Sequence, residues 1–232
     1  MATGHYARLK NEDGKQKLLR AVDPSKDQSY VLHVLTQDKL AKALFPVGEY
    51  PKTQIRELAR SFNLPTASRA DSQDLCFLAG EDYRDFIRRN APEILQPGQI
   101  VTRDGGVLGE HNGLANYTIG QRKGLGIPSA IPLYVLGKDA TANTLIVGRQ
   151  DELGLRKLVA EDVNWISGEP PSGAFRAEVK TRYTARPAAA EVTLLENGSV
   201  QVIFDADQRD ITPGQAAVFY DGDVVLGGGE IR

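Results

Sequence analysis

The closing stretch 214-GQAAVFYDGDVVLGGGEIR-232 decides the fold. It reads as two strands turning at Asp221-Gly222, a dipeptide that tight hairpins favour because both turn residues need positive φ. Working back from it, 189-AAEVTLLENGSVQVIFD-205 reads as a second hairpin turning at Asn197-Gly198. The runs 175-FRAEVKTRY-183 and 158-LVAEDVNWI-166 read as single strands, with 167-SGEPPSG-173 as a surface loop between them. Five or six short strands at this spacing predict a small barrel or sandwich.

Further back, the glycine-rich 112-NGLANYTIGQRKGLGIPSAIP-132 fits neither helix nor strand cleanly. It lies between two predicted hairpins, 97-PGQIVTRDGGVLGEH-111 and 133-LYVLGKDATANTLIVGR-149. The first 91 residues are mixed. "GHYARL" and "KQKLLRAV" read as strands joined by "KNEDG", a ribbon that is marginal alone. Such a ribbon either packs on the helical segment after it or belongs to a sheet whose other strands lie elsewhere. Ser25 and Gln28 have capping-box spacing, and Tyr30, Val31, Val34 and Leu35 form one helical face. Thr36 reads as the N-cap of a second helix. A third runs through 51-PKTQIRELARSFNLP-65 with Ile55, Leu58, Ala59 and Phe62 on one side. "DLCFL" reads as a strand and "EDYRDFIRRN" as a short helix. The expected class is α+β and multidomain: an α/β piece with helices over 1–91, a small β-rich domain over 92–153 and a terminal β-barrel over 154–232.

Composition bounds the function. The chain has 232 residues, 41% hydrophobic and 25% charged, with a formal net charge of -2. No stretch approaches the roughly 20 apolar residues of a membrane span. The N-terminus is polar within a few residues, so a cytoplasmic protein without membrane association is expected. A net charge this small removes a global basic field but leaves room for a local basic face.

The single cysteine, Cys76, sits between Asp71, Ser72 and Asp74 on one side and Phe77 and Leu78 on the other. A lone thiol in apolar company is usually a small core residue. A strand leaving a polar loop can instead present a reactive sulfur, with Arg69 as a cation that would raise its thiolate fraction. Both readings stand on these residues. Lys26, Asp27 and Gln28 read either as a solvated helix cap or as a phosphate- and base-reading helix start. Gly4 and His5 admit a bend or a close ligand approach. Lys180, Arg182 and Arg186 flank Tyr183; alternation puts Lys180 and Arg182 on one strand face. Such a strip suits a nucleic-acid backbone and a stacked base, and equally an ordinary solvated barrel face. "IGQRKGLGIP" lacks the phosphate-loop pattern. His5, His33 and His111 lack metal-ligand spacing, so no metal site is expected in this chain.

Taken in order, "ATGHYAR", "KDQSY", "FPVGEYPKTQIRELARSFNLPTASRADSQDLCF", "GLANYTIGQRKGLGI", "YVLGKDATANTLIVG", "TRY" and "TPGQAAVFYDGDVVLGGGEI" resemble the tRNA-specific 2-thiouridylases. The resemblance runs from residue 2 to the C-terminus. It implies ATP-dependent 2-thiolation of the wobble uridine of tRNA by sulfur transfer from a cysteine persulfide. It implies that Cys76 carries the persulfide, that Gly4 lies against ATP, and that Mg2+ accompanies the nucleotide. It implies tRNA contacts at His5, Lys26, Asp27, Gln28, Arg182, Tyr183 and Gln215. A sulfur-relay or cysteine-desulfurase protein would be the sulfur donor. The family also carries a "SGGVDS"-type pyrophosphatase loop and a second cysteine that forms a disulfide with the first. Neither is among these 232 residues, so the chain alone is expected to be inactive, the end of a nucleotide-binding domain joined to its two β domains. The alternative expectation is a stand-alone tRNA-binding, sulfur-carrying accessory protein.

Overall fold

A computed structural model of the chain describes residues 1–68, 80–209 and 211–232. The predicted "DLCFL" strand and Cys76 lie outside the described residues. Those described form two compact units: 1–68 together with 155–232, and 80–154.

The first unit is built on the terminal strands. They are β7 (Leu155–Trp165), β8 (Phe175–Lys180), β9 (Ala188–Leu194), β10 (Val200–Gln208), β11 (Ala216–Asp221) and β12 (Val224–Ile231). Their order is β12-β11-β8-β9-β10-β7, and β12 also pairs with β7, which closes a six-stranded barrel. Closure removes the exposed edges an open sheet would leave. The seam is made at Gly227–Gly229, where β12 must contact two strands. A Cβ on Gly227 would lie 2.4 Å from the Asn164 carbonyl oxygen, and one on Gly229 2.4 Å from that of Glu161. The barrel interior holds Val179, Val192, Val200, Val202, Phe204, Ala217, Phe219 and Ile231, all nearly or fully buried. Trp165 stacks on Phe219 at 5.6 Å between ring centroids.

The N-terminal ribbon packs on this barrel. β1 (Ala7–Glu12) and β2 (Lys15–Arg20) pair antiparallel about a turn at Asp13 and Gly14, both at positive φ. The ribbon extends the barrel sheet where Leu19 pairs with Val224, and the Arg20 N–H donates to the Asp223 carbonyl at 2.8 Å. Ala7, Leu18, Tyr30, Leu32, Leu40 and Phe45 then cover the outside of the barrel wall against Val218, Tyr220 and Val225. That second layer explains why 217-AVFY-220 is apolar without alternation: Ala217 and Phe219 enter the barrel, and Val218 and Tyr220 enter the outer core.

The helical segment departs from expectation. No capping box forms at Ser25–Gln28: the Ser25 hydroxyl donates to Asp23 at 2.6 Å, and Gln28 Oε1 accepts from the Tyr6 N–H at 3.0 Å. Instead of a helix there is one 3₁₀ turn, Ser29–Leu32, that buries Tyr30 and Leu32 and leaves Val31 and Val34 exposed. A tighter turn shifts which side chains share a face. The second helix is one turn, α1 (Gln37–Leu40). The third, α2 (Lys52–Ser61), forms as read, with none of its residues buried.

The second unit holds α3 (Tyr83–Asn90), β3 (Gly98–Thr102), β4 (Val107–His111), β5 (Tyr134–Asp139) and β6 (Thr144–Gly148). Both predicted hairpins form, and β3 and β6 then pair in parallel to give the order β4-β3-β6-β5. Ile100, Val135, Leu145 and Val147 are its centre, with Tyr117 and Leu125 from the glycine-rich segment packed on them. His111 is fully buried and satisfied: Nδ1 accepts from the Gly113 N–H at 3.0 Å, so Nε2 carries the proton toward the Asn143 carbonyl at 3.1 Å.

Candidate nucleic-acid interface

Of the residues singled out along the chain, Asp27, Lys180, Tyr183 and Arg186 line one cavity within the first unit, whereas His5, Lys26, Gln28, Arg182 and Gln215 are not part of its lining. β8 stops at Lys180, and the loop 181–187 passes the segment that links β2 to the 3₁₀ turn. Between them lies a cavity of about 630 Å³ whose walls include Arg20, Asp27, Lys180, Tyr183, Arg186 and Asp223.

Asp27 is the hub of this wall. Its Oδ1 accepts from the N–H groups of Ala21 at 3.0 Å and Ser29 at 3.2 Å, and its Oδ2 accepts from the Ser29 hydroxyl at 2.9 Å. The Ser29 hydrogen is thereby used, so the Tyr220 hydroxyl, 3.2 Å away, donates to Ser29. Burial raises the pKa of the Tyr220 phenol well above its ordinary value and keeps it a donor. Gln28 acts at the next strand. Its backbone N–H donates to the Tyr6 carbonyl at 2.8 Å while its side chain accepts from the Tyr6 N–H. This fixes the chain one residue past His5, whose Nδ1 lies 2.9 Å from Thr3 Oγ1 and whose ring stands edge-on to Phe45. Lys26 is half-buried beside them.

On the barrel side, Tyr183 is 45% exposed. Its ring lies 6.4 Å from that of Tyr30, and Lys180 Nζ sits 5.6 Å from the Tyr183 ring and 5.7 Å from the Tyr30 ring. Burial lowers the Lys180 pKa, nearby Asp27 opposes that, and Arg20 adds to it. Arg182 does not share the Lys180 face, because the strand has ended. Its guanidinium turns to Thr212 Oγ1 at 2.6 Å, and the Thr212 carbonyl accepts from the Gln215 N–H at 3.1 Å. Gln215 itself is exposed. The "TRY" and "TPGQ" loops therefore meet at Thr212.

The sequence reading missed Arg20, Ser29, Tyr30 and Tyr220 as members of this site. Arg20 looked like the end of a strand, yet its guanidinium lies 4.2 Å over the Tyr220 ring and donates to Glu178 at 2.9 Å. Only pairing between β2 and the distant β12 puts it there. A concave wall with cations and an accessible tyrosine offers charge for phosphate and a face for a base. Among the described residues no group of His, Cys, Asp and Glu is placed to hold a metal ion. No helix among them is long and apolar enough to cross a membrane.

The first unit is thus a closed six-stranded β-barrel with a concave wall that carries several cations. Comparison with known proteins gives the family. Residues 1–80 match the tRNA methyl transferase HUP domain, 84–149 the tRNA methyl transferase PRC-barrel domain and 155–231 the aminomethyltransferase beta-barrel domain. Over its whole length the chain is 48% identical to the tRNA-specific 2-thiouridylase MnmA of Chloroflexus aggregans, covering 65% of that protein. It is 48% identical to MnmA 2 of Caldanaerobacter subterraneus, covering 64%, and 46% identical to MnmA of Roseiflexus castenholzii, covering 67%. The chain belongs to the tRNA-specific 2-thiouridylase family, and it spans about two-thirds of the length of these relatives.

Proposed function

We propose that this chain carries the sulfur-bearing and tRNA-holding parts of an enzyme that converts the wobble uridine of tRNA to 2-thiouridine. The observation that carries the reading is the cavity where Asp27 of "KDQSY" and Tyr183 of "TRY" face one another, in a chain whose relatives are named for that reaction. His5, Lys26, Gln28, Arg182 and Gln215 would touch or position the tRNA around it. Asp27 and Gln28 do so largely by holding backbone, since their side-chain oxygens accept from the chain's own N–H groups.

Uracil C2 is a poor electrophile until its oxygen can leave. ATP, when bound, supplies the adenylyl group that makes it a leaving group. Gly4 is the residue proposed to lie against ATP, and the space beside it is open, with nothing within 4 Å of where a Cβ would stand. Mg2+ would accompany the nucleotide phosphates; the described residues form no cluster for it. Cys76 is the proposed nucleophile carrier. Its persulfide, loaded by a sulfur-relay or cysteine-desulfurase protein, would attack C2 with its outer sulfur as the adenylylated oxygen leaves with AMP; a second cysteine of the family would then attack the Cys76 sulfur, breaking its bond to the transferred sulfur, so that sulfur stays on C2 and the two cysteines end as a disulfide. The base must leave its stack for this chemistry, as for other enzymes that act on bases. The proposed setting is the cytoplasm, where tRNA is modified. These 232 residues alone are expected to bind tRNA without thiolating it, because the family's pyrophosphatase loop is not among them.

The test is Cys76→Ser at the chromosomal locus, with 2-thiouridine in bulk tRNA measured by mass spectrometry. The modification should vanish while the purified protein still binds tRNA. Surviving 2-thiouridine would refute the role of Cys76.

A further inference from the structure

Two cations of the cavity wall, Lys180 and Arg186, form no ion pair among the described residues. Arg20 is paired with Glu178, and Asp223 with Arg8 at 2.8 Å. Asp27 is spent on Ala21 and Ser29. Neither Lys180 nor Arg186 has a carboxylate within 4 Å among the described residues. Lys180 is nonetheless half-buried, held against the faces of Tyr30 and Tyr183. Asp27 acts on this ammonium from a distance, but its oxygens are engaged by Ala21 and Ser29, so Lys180 has ring faces and no direct ion pair. Arg186 is exposed, stands just before Pro187 and lines the same cavity. The cavity, at about 630 Å³, falls in the range of sites that hold one small ligand.

We propose that this cavity seats a single unstacked nucleotide of the tRNA, with its phosphate between Lys180 and Arg186 and its base against the open face of Tyr183. The inference rests on the tRNA reading above and adds to it a nucleotide subsite and two phosphate ligands. A duplex cannot fill it: A-form RNA keeps its bases stacked inside, whereas a loop nucleotide can turn its base onto an aromatic ring. The subsite therefore selects a hairpin loop over a blunt helix. Arg20, already neutralised by Glu178 and stacked on Tyr220, shapes the floor.

The experiment measures binding of the purified chain to total tRNA, to an RNA hairpin with a seven-nucleotide loop, and to a blunt RNA duplex of equal charge, across a salt series. Lys180→Met and Arg186→Met should each weaken hairpin binding about tenfold and reduce the salt slope by roughly 0.7, the value for one single-strand phosphate. Lys157→Met, exposed on β7 and off the cavity wall, should change neither. Tyr183→Ala should erase the preference for hairpin over duplex. UMP should compete with the hairpin better than inorganic phosphate does. Arg186 is exposed and has no ion pair among the described residues, so its variant reads the site even if Lys180→Met folds poorly. If the wild-type chain binds hairpin but Arg186→Met and a folded Lys180→Met bind it equally well at every salt, the subsite is wrong and the tRNA reading stands. Competition by UMP no better than by phosphate means a simple anion site, against the proposal. If the wild-type chain binds no tRNA at low salt, the tRNA reading fails and takes this inference with it.

Discussion

Replacing Asp27 by alanine separates a positioning role from direct contact with RNA. The carboxylate accepts from two backbone donors, Ala21 and Ser29, and from the Ser29 hydroxyl. Both backbone donors belong to buried residues, at 6% and 0% exposure. Truncation leaves two N–H groups unpaired, each costing about 1–3 kcal/mol. The Ser29 hydroxyl can rotate toward Tyr220 and adds little. Water entering from the cavity side would relieve part of the loss at Ala21. The expected destabilisation is therefore about 3 kcal/mol, in the lower half of the two-donor range. Asp27→Asn keeps one acceptor oxygen and should lose only about 1 kcal/mol. The assay is urea unfolding followed by Trp165 emission. Trp165 is the only tryptophan, and it stacks inside the barrel of the same unit. A loss below about 0.5 kcal/mol for Asp27→Ala, the range of ordinary surface changes, together with a collapse in tRNA affinity, would refute the reasoning. Asp27 would then be reaching the RNA itself.

Two further changes probe the frame that holds the site. Gly48→Ala would place its Cβ 1.7 Å from the Ala7 carbonyl oxygen of β1, so the ribbon must move. The expected loss is at least about 3 kcal/mol, the upper end of overpacking costs, seen as a lower urea midpoint. Gly4→Ala should leave that midpoint unchanged, since nothing surrounds its Cβ. His33 donates from Nδ1 to the Tyr30 carbonyl at 2.8 Å, and burial, the larger effect, lowers its pKa. The unfolded chain then takes up the proton first. The stability His33 contributes is full above about pH 6.5 and falls as the pH drops below that value, levelling once the folded form is also protonated. His33→Gln should flatten the dependence of the urea midpoint on pH from neutral down through the ordinary histidine range; an unchanged slope would mean that another group titrates there.

The hairpins were legible in the sequence wherever the turn is local. Asp13-Gly14, Asp104-Gly105, Asn197-Gly198 and Asp221-Gly222 each supply residues that accept left-handed backbone, and each turn forms between the strands read on either side. The expected barrel came from counting such strands. The capping box failed because Gln28 had a better partner in Tyr6, 22 residues away, which no local spacing reveals. Of the candidate site, Tyr183 and Asp27 could be named from motifs, but their facing each other could not. Arg20 and Tyr220 carried no signal at all.

By itself the sequence determined turn positions, strand count, the family and the identity of the lone thiol, because these depend on neighbouring residues or on the order of motifs. The tertiary structure decided the closure of β12 on β7, the parallel pairing of β3 with β6, and the docking of the N-terminal ribbon on the barrel. It also decided which charges of the cavity wall are paired, Arg20 with Glu178 and Asp223 with Arg8. Pairing between distant strands uses backbone groups that every residue carries, so no side chain announces it. The cavity exists only once those pairings bring residues 20–27 and 180–187 to one wall.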